Sequence, residues 1–191
     1  TLESLVRFGI EHITIVDFDT VSESNINRQI LALDDTIGKK KVDVMRERLL
    51  KINDELDIRC IDKIYSKEIN DEIFDRQYDY VVDAIDMLKN KIELIETCLE
   101  KNIKIISAMG CGNKLDATKL EISTLDKTSV CPLARKLRQK IDKRIQKKIN
   151  VVYSKEEPIE KKLKDDGKVV TGSISLVTAT GGLLIASCLL Y

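Results

Sequence analysis

One acid, two amides and two cations fall close together near the start of the chain: Asp19, Asn25, Arg28, Gln29 and Lys41. A carboxylate just past a strand can hydrogen-bond the hydroxyls of a ribose. Arginine and lysine neutralise phosphate, and amides can both donate to it and contact a base. This is the composition of a nucleotide site. The simplest reaction it could serve is acyl adenylation, in which a carboxylate attacks the α-phosphate of ATP and pyrophosphate leaves. That reaction asks the protein to position groups and neutralise charge rather than to supply a nucleophile. On this reading Asp19 holds the ribose, Arg28 and Lys41 neutralise the phosphates, and Asn25 and Gln29 position phosphate or acyl oxygens.

Such residues must be carried by elements that end at one rim. Ile13 to Phe18 is a short apolar run ending in acid at Asp17 and Asp19, the pattern of a buried parallel strand whose carboxyl end opens into a site. Tyr80 to Ala84 repeats the pattern, with Asp83 and Asp86 at its end. Between them the spacing of Val42, Met45, Leu49 and Ile52 predicts a helix from about 38 to 53, capped by Asp34 or Asp35. Lys39, Lys40 and Lys41 then occupy its first turn against the helix dipole, which suits a bound anion, although Lys39 and Lys40 read better as a solvated run. Further strands are expected at 58–61, 104–107 and 151–153, a loop with a short helix over 64–77, and a helix at 88–102. Cys98 lies on the apolar face of the latter, as a small core residue. Leu2, Leu5 and Val6 mark a short first helix with Gly9 as its C-terminal cap. Strand–helix alternation predicts an α/β fold, a Rossmann-like doubly wound and mostly parallel sheet. Leu120, Ile122 and Thr124 alternate as in an antiparallel strand, so the C-terminal extension is partly antiparallel. Residues 154–172 read as a mobile loop or crossover, 173–177 as a strand or helix entry, and 178–191 as an apolar helix.

At 191 residues the chain suits one domain, 1–191. With 43% hydrophobic and 34% charged residues it is globular, and zero net charge means any nucleic-acid contact must use a local basic surface. No apolar run reaches membrane-spanning length. Five scattered cysteines without a Cys-x-x-Cys pair suggest reduced thiols and a cytoplasmic location.

Asp17-Phe18-Asp19-Thr20-Val21, then Ser24-Asn25-Ile26-Asn27-Arg28-Gln29, then Gly38-Lys39-Lys40-Lys41 resembles the ThiF/MoeB/E1-type adenylating family. The Asn-Ile-Asn-Arg-Gln variant and the stretch Met109 to Arg138 resemble most its tRNA threonylcarbamoyladenosine dehydratase branch, TcdA. Asp-Ala-Ile-Asp at 83–86 is similar to the family's second signature, with Met87 where Asn often follows. The resemblance implies ATP and Mg2+, with Lys41 as the phosphate lysine and Asp86 near the metal. Asp86 also fits the N-cap of the next helix. The resemblance further implies a homodimer, and a first strand with a glycine-rich loop upstream of residue 1, absent from the given sequence. Some members hold a structural zinc on two Cys-x-x-Cys pairs; without those pairs, no structural zinc is expected.

A predicted helix over about 133–148 carries Arg135, Lys136, Arg138, Lys143 and Arg144 among its eight cations, with Asp142 its only acid. Such a face can hold a phosphate backbone or simply be solvated. With the resemblance, tRNA is the expected substrate: the carboxylate of its N6-threonylcarbamoyladenosine is adenylated and cyclises. The alternatives are MoeB/ThiF-like activation of the C-terminal glycine of a sulfur-carrier protein, with a carrier or cysteine-desulfurase-type partner, and a non-catalytic nucleotide-binding module. Asn150 to Val152 excludes a thiol relay where some members have one. Cys111 and Cys131 stay candidates, with an incidental thiol the better reading, and His12 reads as structural.

Overall fold

A computed structural model describes residues 1–159, 163–165 and 168–190. They form two compact units, Thr1–Tyr65 and Ser66–Tyr191, each built of packed α and β elements.

In the first unit, α1 (Leu2–Arg7) leads to β1 (His12–Val16), then α2 (Lys41–Leu50) and β2 (Asp57–Ile61). Gly9 ends α1 as its spacing predicts: at φ +100° it lets its own N–H reach Val6 O and the Ile10 N–H reach Leu5 O. β1 and β2 pair in parallel, Ile13 beside Ile58 and Ile15 beside Cys60. The apolar face of α2 packs Met45 and Leu49 against Val6, Leu56 and the strand residues Ile13 and Ile15. Burying Leu49 completely stabilises the unit by roughly 1.5–3 kcal/mol. β1 is half-buried rather than buried, since among the described residues it pairs on one side only. His12 sits at its exposed start, hydrogen-bonded to Asp57.

The start of α2 differs from its prediction. Asp34 and Asp35 cap nothing; they open a separate one-turn 3-10 helix, Asp34–Thr36, whose Thr36 hydroxyl closes on Leu33 and Leu31. Gly38 at φ +83° then redirects the chain, so Lys40 becomes the N-cap and only Lys41 is helical. Lys40 pairs with Asp62.

The second unit is organised on a four-stranded sheet, β3 (Tyr80–Asp83), β4 (Lys104–Ala108), β6 (Asn150–Ser154) and β5 (Leu120–Thr124), in that spatial order. β3, β4 and β6 run parallel, and β5 is antiparallel to β6. A four-residue helix, α3 (Asn70–Ile73), precedes β3. Helix α4 (Leu88–Glu100) packs on β3 and β4, and α7 (Ser175–Leu189) packs on β4, β5 and β6. Val177 and Ile185 of α7 complete a core with Ile106, Leu120 and Val152. Leu120 of β5 is buried as its alternation requires, whereas Ile122 is 40% exposed.

The expected helix 133–148 is two helices, α5 (Pro132–Lys140) and α6 (Lys143–Gln146). Leu137, Ile141 and Ile145 keep helical spacing through the break, which hides it in the sequence. Ile141 is extended, and the Asp142 side chain accepts the Arg144 N–H as a new N-cap. Buried Gln146 donates to Arg138 O and Ile141 O, satisfying the carbonyls that α5 leaves open. The region read as a loop over 154–172 holds two short antiparallel strands, β7 (Leu163–Asp165) and β8 (Lys168–Val170); its residues 160–162 and 166–167 lie outside the described residues. Ser173 to Val177 proves to be helix entry.

Candidate functional site

The residues singled out near the start of the chain gather in the first unit through a backbone device. Val21 N–H donates to Lys39 O, Gly38 N–H to Val21 O and Lys41 N–H to Asp19 O, with Thr20 bridged to Lys40. This antiparallel clasp brings two residues 22 apart together: Lys41 Nζ lies 2.7 Å from Asp19 Oδ2. The lysine side chain is 11% exposed and the carboxylate 46%. The pair is therefore open on the acid's side, where one carboxylate oxygen still faces solvent. Asp17 steadies it by accepting the Asp19 N–H at 2.9 Å.

The loop between the clasp strands is anchored by Val21, Ala32 and Val44. Asn25 is buried, and its Oδ1 accepts the Ser22 N–H at 3.2 Å while its carbonyl accepts from Arg28 and Gln29. Its oxygen is thus committed to shaping the turn, and any ligand contact falls to its amide nitrogen. Arg28 is half-buried; one guanidinium nitrogen donates to Ser24 O at 2.8 Å and Asn27 Oδ1 at 3.1 Å. Gln29 is half-buried beside it. Asp19, Asn25, Arg28, Gln29 and Lys41 so belong to one clasp and its loop. That arrangement offers carboxylate oxygen, amide and cation to a polyanionic ligand.

Asp86 lies in the second unit, exposed just beyond β3. It does not cap α4: Met87 is the N-cap and offers no side-chain acceptor, so the carboxylate is not spent on the helix. The neighbouring acid behaves otherwise. Asp83 is fully buried, 2.7 Å from Lys91 Nζ and 2.5 Å from Ser107 Oγ, so it is not a site acid. The sequence reading did not single out Lys91 or Ser107.

The glycine-punctuated loop after β4 serves as an anchor. A Cβ on Gly112 would meet Thr171 Cγ2 at 2.1 Å, so any larger residue there would force the Thr171 side chain to move. Asn113 N–H donates to Gly172 O, its Oδ1 accepts the Gly172 N–H, and its carbonyl accepts the Ile159 N–H. Buried Lys114 donates to Ser154 O and Glu156 O, both at 2.9 Å.

The cysteines do not look like nucleophiles. Burial pushes the Cys111 thiol up, only partly offset by Lys114, and the thiol faces Met109 O at 3.7 Å. Cys131 is buried, just after Val130, a β-branched residue at φ 57°. Cys98, deep in the core, is pushed up to about 12 by burial and then by the charge of Asp83. Among the described residues no group of three or more His, Cys, Asp or Glu side chains could hold a metal.

The basic stretch divides by role. Arg135, Lys136 and Lys143 are exposed, and Arg135 and Lys143 border an open cleft of about 730 Å³. Arg138 also borders it, but its guanidinium donates to Thr128 O at 2.9 Å and to the Thr128 hydroxyl, bracing the turn before α5. Arg144 is engaged with Asp142, whose carboxyl it holds down at about 2.

The ThiF family model matches residues 1–190. The tRNA threonylcarbamoyladenosine dehydratase of Bacillus subtilis is 40% identical over 158 residues, 82% of this chain and 62% of that protein. The chain spans between about half and three-fifths of the length of such curated relatives. Two solved structures of Escherichia coli TcdA superpose on 98% of the chain and cover 77% of their own. The complex with AMP has a TM-score of 0.89 at 33% identity, and the complex with ATP 0.87 at 34%. Among the described residues no helix is long and apolar enough to cross a membrane.

Proposed function

The chain belongs to the ThiF family, and from that premise we propose that it is the adenylating domain of an ATP-dependent tRNA threonylcarbamoyladenosine dehydratase. The observation that carries this reading is the match, over 98% of the chain, to a TcdA solved with ATP. The open Asp19–Lys41 clasp supports it from within. Because the family model spans both compact units, it favours one adenylating domain over 1–191.

In this mechanism the free oxygen of Asp19 accepts from ribose hydroxyls while Lys41 offsets its charge. Lys41, with three donors, keeps N–H groups for a phosphate. Arg28 and Lys41 stabilise charge that grows as the substrate carboxylate attacks the α-phosphorus and the bond to pyrophosphate breaks. Asn25 and Gln29 orient the reacting oxygens. The activated carbonyl is then attacked from within the same modified nucleoside, AMP leaves, and proximity supplies much of the rate. Mg2+ would be held by Asp86, where it would add neutralising charge at the phosphates. A lone exposed carboxylate fits an ion carried mostly by phosphate oxygens and water.

The exposed Arg135, Lys136 and Lys143 are the tRNA contacts this reading favours; Arg138 and Arg144 serve the protein first. Exposed Leu176 and Leu183 on α7 suit a homodimer, and the substrate suits the cytoplasm. ATP–pyrophosphate exchange in the full-length protein tests the reading. Stimulation by tRNA bearing the threonylcarbamoyl group, and its loss in Arg28→Ala, is the expected result. Stimulation by a small carrier protein ending in Gly-Gly, with or without a desulfurase partner, would replace the substrate. Exchange in neither case would leave a binding module.

A further inference from the structure

Asp83 has every oxygen engaged. Its Oδ1 accepts the Ile85 N–H at 2.9 Å, and its Oδ2 accepts from Lys91 Nζ at 2.7 Å and Ser107 Oγ at 2.5 Å. Lys91 also reaches Ser107 Oγ at 3.2 Å, and all three side chains are fully buried. Lys91 stands in the first turn of α4, and Ser107 lies beside Asp83 in the β3–β4 register. A buried ion pair is a poor way to gain stability, because apolar residues of the same volume often serve as well or better. The triad therefore needs another explanation, and its fourth hydrogen bond supplies one. The bond from Ile85 N–H closes a side-chain turn on the backbone that carries Asp86.

We propose that Asp83, Lys91 and Ser107 are positioning residues: the buried triad locks the turn at the end of β3 so that Asp86 is presented in one orientation to phosphate-bound Mg2+. The inference rests on the adenylation reading of Asp86. Lys91 fixes which way the Asp83 carboxylate faces, Ser107 fixes its height on the sheet, and the remaining oxygen holds Ile85. Residues that orient a metal-binding carboxylate in this way typically change metal affinity about 10- to 100-fold when lost.

Two double variants of the full-length protein isolate the turn. Asp83→Asn with Lys91→Met removes the buried charges but keeps an oxygen for Ile85 N–H. Asp83→Leu with Lys91→Met removes the charges and the acceptor. Hydrogen exchange at the Ile85 amide and calorimetry of ATP binding with and without Mg2+ are the readouts. The Leu/Met double is expected to exchange at Ile85 at least about tenfold faster and to bind MgATP about 10- to 100-fold more weakly. Its binding of ATP without Mg2+ should be unchanged, and the Asn/Met double, which keeps the acceptor for Ile85 N–H but loses the lysine, should show a smaller loss, about two- to tenfold in MgATP affinity. Equal behaviour of the two doubles overturns the proposal. Should the Leu/Met double not fold, Ser107→Ala replaces it, with an expected loss of about two- to tenfold in MgATP affinity and none overturning it. Asp86→Ala separates the parent reading. If that variant binds MgATP normally, the role of Asp86 falls; if it loses binding while the doubles match, only the positioning role falls.

Discussion

Two aspartate–lysine pairs share one contact distance, 2.7 Å from Nζ to Oδ2, in opposite surroundings. In the first unit the Asp19 carboxylate is 46% exposed over a nearly buried Lys41. In the second, Asp83 and Lys91 are both 0% exposed, and Ser107 completes their hydrogen bonds. An exposed partner leaves the first pair able to exchange its contacts for a ligand's at little cost in stability. Full burial makes the second pair a fixed part of the fold, since either charge left alone there would be costly. Equal geometry thus gives one pair that can bind and one that can only hold.

Breaking the buried pair is the severest test of the contrast. Lys91→Met leaves Asp83 charged and uncompensated, and should lower unfolding free energy by roughly 3–5 kcal/mol in denaturant titrations. Asp83→Asn added to it should restore most of that loss. If Lys91→Met alone is neutral, the pair is not the charged, dry contact described.

The exposed pair should respond in the opposite sense. Lys41→Met leaves behind a half-exposed Asp19 that water can solvate, so stability should change by no more than about 1 kcal/mol. ATP–pyrophosphate exchange should fall about 10²- to 10³-fold, the scale for one donor aimed at developing charge. A large stability loss with intact exchange would reverse the assignment of the two pairs.

Sequence legibility follows the same division. The clasp residues were readable because a polar, irregular motif after a strand has few structural uses, and the motif carried its family with it. Gly9 was readable because left-handed backbone at a helix end demands glycine. Lys91 was legible in principle: it stands four residues before Ile95 and seven before Cys98, on the buried face of α4. A lysine on an apolar stripe requires a buried acid, and Asp83 is near in sequence. Helical spacing alone misread 133–148, because Leu137, Ile141 and Ile145 keep their period across a break made by Asp142 and sealed by Gln146. The cap expected of Asp86 failed because residue type does not say where a helix's first turn starts, and Met87 took that place.

Cys98 offers a reporter of the buried charge. Its thiol is pushed up from 9.0 to about 12, by burial first and Asp83 second. In the unfolded chain the thiol ionises near its ordinary value. The folded state keeps the proton until about pH 12, so stability is full below pH 9 and declines as pH rises toward 12. The decline attributable to this group should approach about 1.4 kcal/mol per pH unit. Comparing stability-against-pH curves with Cys98→Ala isolates it. In the Asp83→Asn/Lys91→Met protein the thiol should titrate lower; an unchanged titration would mean that Asp83 does not reach it electrostatically.

The smallest effects concern the cations of α5 and α6, where the open-versus-committed distinction applies to single arginines and lysines. Arg135 and Lys136 are exposed on α5, Arg135 beside the cleft, whereas Arg138 is committed to Thr128. If tRNA phosphates lie along this face, replacing Arg135 or Lys136 by Ala should weaken binding uniformly across tRNA sequences. Each should also reduce the slope of log K against log salt by about one, with no change in melting temperature. Arg138→Ala should instead cost roughly 1.5–3 kcal/mol of stability, because it removes charged hydrogen bonds bracing the turn before α5. Its salt slope should stay nearer that of the natural sequence. Arg144→Ala should lie between them, since Asp142 competes for its guanidinium and a phosphate must displace that carboxylate. Filter-binding titrations at several salt concentrations, paired with thermal melts, order the three classes. A salt slope that fell equally for all of them would mean that existing hydrogen bonds do not decide which cations are free to bind.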